Sequence, residues 1–155
     1  MVDLNRQSEL RGAIELLYFG YRGFTARPDR ILERRGLGRV HHRILYFIGR
    51  QPGLSVKALL DVLAISKQAL SAPLRQLMEM GLLGAEPDPD DRRVKRLRLT
   101  AEGARLEAEL TEAQTRHLAA AFERAGPADE RGWRAVMEAM AEAADHPRRA
   151  RDRRA

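Results

Sequence analysis

Two short amphipathic helices, each opened by a serine and meeting across a minimal turn, constrain this chain more than any other feature. Ser55 offers its hydroxyl to a helix with Val56, Leu59, Leu60 and Leu63 on one face. Only Ala64 and Ile65 intervene before Ser66 caps a second helix, whose inward positions are Leu70, Leu74 and Leu77. Capped helices joined this tightly form a helix-turn-helix. Gly81 follows Met80 where a left-handed helix stop belongs. Residues 82–86 and 94–99 then read as strands flanking Pro87-Asp88-Pro89-Asp90-Asp91-Arg92-Arg93, a β-hairpin with a polar, proline-stiffened tip.

Helical periodicity accounts for most of the remainder. Leu10, Ile14, Leu17, Tyr21 and Phe24 form a stripe over 8–24, and on spacing alone such a seam is read as intramolecular core. Residues 25–39 mix Pro, Gly and charge and predict a loop with one helical turn at most. A helix over Val40 to Arg50 turns Ile44, Leu45, Phe47 and Ile48 inward and stops at Gln51-Pro52-Gly53. Thr100 caps a long helix to Ala125, with Leu106, Leu110, Ala113, His117, Ala121 and Phe122 along one side. Gly126-Pro127 breaks it, and Trp133, Val136, Met137, Met140 and Ala144 repeat at helical spacing in the last helix. The fold class is mainly α with a small β-hairpin.

Charge and composition remove several functions. Of the formal charge of +6, residues 146–155 carry +4, from five Arg and one Asp, leaving +2 for residues 1–145. Net charge therefore says little about nucleic acid, and the position of charge within folded segments must carry the argument. The tail itself is expected to be disordered. The absence of cysteine excludes disulfide scaffolds, thiolate-zinc sites and thiol catalysis, and fits a reducing compartment. The N-terminus lacks a signal-peptide layout and no apolar run reaches the ~20 residues of a membrane helix, so a cytoplasmic protein without membrane partners is expected. No metalloprotease, phosphate-loop, dinucleotide or serine-elbow motif is present, and neither enzyme activity nor a cofactor is expected. The acidic run Glu86, Asp88, Asp90 and Asp91 lacks the glycine-centred spacing of a calcium loop. His41 and His42 project about 100° apart on one helix, so no metal site is expected from them.

The second helix of the pair has a face suited to a major groove. Gln68, Ala72, Arg75 and Glu79 lie opposite the leucines, with Ser71 beside them. Small residues permit close approach, Gln can pair bidentately with adenine and Arg with guanine. Lys67 and Ser66 at the helix start suit a phosphate. Any amphipathic helix exposes some Gln, Ser and Arg, so this face does not decide the function alone. Pro73 predicts a bend, or alternatively a helix that begins only after it. The hairpin tip is more informative. Asp91, two residues before Arg93 and next to Arg92, can hold that guanidinium extended, and an Arg on a narrow ribbon can enter a minor groove.

The run Leu54-Ser55-Val56-Lys57-Ala58-Leu59-Leu60, then Ile65-Ser66-Lys67-Gln68-Ala69-Leu70-Ser71, then Leu74 to Leu83, resembles the MarR family of bacterial transcription regulators. The wing Asp88-Pro89-Asp90-Asp91-Arg92-Arg93 followed by Leu97-Arg98-Leu99-Thr100-Ala101-Glu102-Gly103 is similar to that family's most diagnostic stretch. The resemblance implies a single domain over 1–145, with a winged helix-turn-helix at about 40–100 and dimerisation helices at about 8–25 and 101–144. It reassigns the apolar stripe of the first helix to a subunit interface. It further implies a ligand-responsive homodimer, a repressor, reading a pseudo-palindromic operator in double-stranded DNA. The DNA-binding residues implied are Ser66, Lys67, Gln68, Ser71, Ala72, Arg75, Asp91, Arg92 and Arg93. A small aromatic effector would meet Tyr18, Tyr21, Arg22, His41, His42 and Tyr46. Ala64 and Pro73 depart from the usual pattern of the helix pair. The alternative is a winged-helix module that binds protein without specific DNA recognition.

Overall fold

The computed structural model describes residues 3–152, with side chains over 3–144. It divides into two compact units, one ending at Thr115 and the other starting at Arg116. The first holds α1 (Leu4–Glu33), α2 (Arg39–Arg50), β1 (Leu54–Ser55), α3 (Val56–Leu63), α4 (Lys67–Glu79), β2 (Leu83–Pro87), β3 (Lys95–Leu99) and the first part of α5 (Ala101–Ala125). The second holds the rest of α5 and α6 (Pro127–Asp152). The backbone of α6 is helical to Asp152, where the composition predicts disorder from His146; Ala and Arg are good helix formers, and residues 153–155 lie outside those described.

In the first unit the core is leucine-rich. Leu32, Ile44, Leu45, Ile48, Leu59, Leu77, Leu97 and Leu110 are fully buried. The sheet is antiparallel in the order β1–β3–β2, with Leu54 opposite Leu97 and Ala85 opposite Leu97 on the other side. The hairpin is thus extended by a two-residue third strand that follows the Pro52-Gly53 turn.

Two expectations are corrected. Residues 25–33, read as loop, continue α1 through Pro28 to Glu33. Proline lacks the N–H for one backbone bond, but Pro28 and Leu32 are both fully buried and the Thr25 hydroxyl donates to the Tyr21 carbonyl at 3.0 Å, so packing outweighs local propensity. The stripe read on spacing as intramolecular core is instead uncovered in the single chain: Ile14 is 67% and Leu17 48% exposed.

Candidate nucleic-acid interface

The helix pair is built by local chemistry. Ser55 Oγ accepts the Ala58 N–H at 3.1 Å and Ser66 Oγ accepts the Ala69 N–H at 3.0 Å, satisfying amide donors that have no intrahelical partner. Ala64 turns the chain in the left-handed region, at φ 57°, a conformation that costs a non-glycine residue about 1–2 kcal/mol. α4 runs without interruption from Lys67, with Pro73 inside it, so the helix does not wait for the proline. Leu70 and Leu77 are buried beneath it, while Ser66, Lys67, Gln68, Ser71, Ala72 and Arg75 all remain accessible to solvent. All six are therefore open to solvent. Gly81, at φ 71°, ends the helix, and the Leu82 N–H donates back to the Leu77 carbonyl at 3.0 Å.

The wing tip is ordered by two carboxylates with different tasks. Asp91 Oδ1 accepts both the Arg93 backbone N–H and its Nε–H at 3.1 Å, and Oδ2 accepts from Nη2 at 3.3 Å. This fork holds a guanidinium whose side chain is 90% exposed, and the Arg93 hydrogen bonds hold the Asp91 carboxyl below the usual carboxylate range. Arg92 is exposed beside it.

Asp88, which composition presents only as part of an acidic run, is buried under the tip. Its Oδ1 accepts the Asp90 and Asp91 N–H groups at 2.9 and 3.1 Å, and its Oδ2 takes Arg96 Nε–H at 2.5 Å. Arg96, then the two backbone donors, push the Asp88 pKa down. Arg96 Nη1 also donates to the Gly53 carbonyl at 3.4 Å, so the base of the wing is tied to the β1 turn. The Asp-Pro start of the tip is a sequence signal for such a side-chain-capped turn. Among the described residues no group of three or more His, Cys, Asp or Glu is placed to hold a metal, and no helix is long and apolar enough to cross a membrane.

Side chains singled out for a small ligand are dispersed. Tyr21 lies under Arg39, 5.3 Å from ring centroid to guanidinium, and its hydroxyl accepts from Arg43 Nη2 at 3.3 Å. Arg22 sits over Tyr18 at 5.9 Å, and half-buried Tyr46 packs edge-on against Phe47. Of these residues only Arg22 lines the groove of about 590 Å³ along α1, which Thr25, Asp29, Arg30 and Arg39 share. His42 is buried near Glu107, and desolvation lowers its pKa. His41 is occupied structurally: Nδ1 accepts the Gly38 N–H at 3.0 Å, so Nε2 carries the proton and donates to Gln76 Oε1 at 2.8 Å.

Comparison with known proteins adds a curated relative. The chain is 48% identical over 132 residues to the HTH-type transcriptional regulator PetP of Rhodobacter capsulatus, spanning 85% of this chain and 80% of that protein. The MarR family profile matches residues 35–94, from the turn before α2 through the wing tip. The chain belongs to the MarR family. It is accordingly a helix-turn-helix transcriptional regulator and not an enzyme. Solved MarR-like structures share the fold: the S. aureus MepR–DNA complex aligns at a TM-score of 0.69 and 19% identity over 83% of this chain and 96% of that one. NadR in complex with 4-hydroxyphenylacetate aligns at 0.69 and 23% identity over 83% of this chain and 89% of that one.

Proposed function

We propose that this MarR-family regulator binds a pseudo-palindromic DNA duplex as a homodimer, with Gln68, Ser71, Ala72 and Arg75 of α4 in the major groove and Arg93 in an adjacent minor groove. The observation that carries the reading is the Asp91 fork, which holds an exposed guanidinium extended from a rigid hairpin without neutralising its outer face. Lys67 and Ser66 supply phosphate contacts at the start of α4, and Arg92 supplies one on the wing. The MepR complex contains DNA bound to a protein of this fold. Duplexes retained from a random library define the operator. Gln68→Ala and Arg75→Ala each relax preference at one or two positions, by ~1–3 kcal/mol. Equal, salt-insensitive affinity for all duplexes would instead favour a protein-binding module.

The dimer rests on uncovered apolar faces: Leu10, Ile14 and Leu17 on α1, and Trp133, Val136 and Met140 on α6. A second copy covers them, and Ile14→Lys shifts the protein from dimer to monomer in light scattering. Release from DNA by a small aromatic acid, giving a ligand-responsive repressor, is supported by the Tyr18, Tyr21 and Arg22 surface of α1 and by the NadR complex with 4-hydroxyphenylacetate. A panel of phenolic carboxylates that neither raises the melting temperature nor weakens operator binding contradicts it.

A further inference from the structure

We propose that the turn between α1 and α2 is a third DNA-contacting element, in which Arg34 and Arg35 grip the phosphate backbone alongside α4. The inference rests on the DNA-binding reading above and assigns it a contact surface outside the helix pair and the wing. Arg34, Arg35 and Gly36 form the turn that closes α1. Its shape is fixed on three sides. Gly36 adopts φ 68°, the Leu37 N–H donates to the Leu32 carbonyl at 3.0 Å, and the Leu37 side chain is buried in the core.

The turn is also fastened to α4. Gln76 Nε2 donates to the Gly36 carbonyl at 3.3 Å, while Gln76 Oε1 accepts from His41 Nε2 and His41 Nδ1 accepts from Gly38. At 100° per residue Gln76 lies about 80° round α4 from Gln68. It therefore stands near one edge of the exposed arc, which runs from Lys67 through Gln68 to Ala69. A major groove about 12 Å wide is filled by a helix with its side chains. Whatever is packed against the flank of that helix is consequently set beside a strand of phosphates. Here that flank carries two exposed guanidinium groups with no ion pair among the described residues. The carboxylates in the last two turns of α1 are Glu33, which is exposed, and Asp29, which the Arg39 guanidinium already neutralises at 2.9 Å; Glu79 is exposed on α4.

The test is the salt dependence of operator binding by the full chain, read by fluorescence anisotropy with a duplex selected as above. Replacing Arg34→Gln and Arg35→Gln together lowers the slope of log affinity against log salt by about 0.9 for every phosphate that is no longer neutralised. Between 50 and 200 mM salt each such phosphate makes the fall in affinity about 3.5-fold shallower. Arg6→Gln with Arg11→Gln removes the same charge roughly 35 Å away along α1 and leaves the slope unchanged. In a Gln76→Leu background, where the fastening is cut, the Arg34/Arg35 pair contributes less than in the wild type. An unchanged slope, an equal fall in the Arg6/Arg11 control, or full cost in the Gln76→Leu background overturns the inference while leaving the winged-helix reading intact. A wild-type protein that binds no duplex overturns both.

Discussion

Gly103→Ala tests whether the start of α5 is as tightly fitted against the turn between α4 and β2 as the geometry requires. A Cβ at this position falls 1.9 Å from the Leu82 carbonyl oxygen and 2.9 Å from its carbon, so backbone and not a flexible side-chain end must yield. That oxygen already accepts the Thr100 N–H at 3.1 Å, and Thr100 Oγ1 both donates to the Gly81 carbonyl at 2.6 Å and caps the Gly103 N–H at 3.0 Å. Relief of the clash costs about 1–3 kcal/mol of overpacking. Disturbing the Thr100 cap adds about 1 kcal/mol, and alanine returns about 1 kcal/mol of helix propensity, for a net loss of about 1–3 kcal/mol. Gly132, in α6 with nothing within 4 Å of its added Cβ, shows the propensity gain alone. Urea denaturation at one protein concentration should lower the midpoint for Gly103→Ala and raise it for Gly132→Ala. A Gly103→Ala protein as stable as the wild type refutes the fit.

Asp88→Asn keeps an oxygen for the Asp90 and Asp91 amides but loses the charge facing Arg96, so operator affinity should fall although no DNA-facing residue has changed; equal affinity contradicts the brace. Because the Arg96 and backbone hydrogen bonds hold the Asp88 pKa below 3.8, its stabilisation is present above that value and lost as pH falls through the folded one. The stability gap between wild type and Asp88→Asn should therefore narrow in acid urea titrations. For His42 the sign is fixed by burial, which lowers its pKa from 6.5 against the opposing pull of Glu107 and Asp29 and with the help of Arg43. Below pH about 6.5 the unfolded chain takes the proton more readily, so stability drops with acidification, and His42→Leu should flatten that dependence between pH 7.5 and 5.5. An identical slope in the variant would remove His42 as its source.

Local chemistry makes the reading head legible in the sequence. Ser55, Ser66 and Gly81 act on their own helix ends, and Asp91 reaches Arg93 two residues away, so each leaves a mark within one short window. Interactions across long separations leave none. α1 passes through Pro28 because Pro28 and Leu32 are buried, and a local reading sees only a helix breaker followed by charge. β1 is two residues long and is a strand solely by its pairing with β3. The Asp88–Arg96 brace spans the hairpin, and His41 meets Gln76 across 35 positions of sequence, a distance at which residue type carries no partner information. His41, singled out as a ligand contact, hydrogen-bonds the Gly38 amide and Gln76 of α4. The apolar stripe of α1 is visible as periodicity, but periodicity does not say whether the same chain or another copy covers it.

The central claim is that α4 and Arg93 occupy adjacent grooves of one duplex. Dimethyl sulfate reports on both grooves at once, methylating guanine at N7 in the major groove and adenine at N3 in the minor groove. On the selected operator the wild-type protein should protect both kinds of site at neighbouring positions, and Arg93→Ala should lose adenine N3 protection while guanine N7 protection persists. Adenine N3 protection that survives in Arg93→Ala, or a wild-type footprint confined to one groove, contradicts the account.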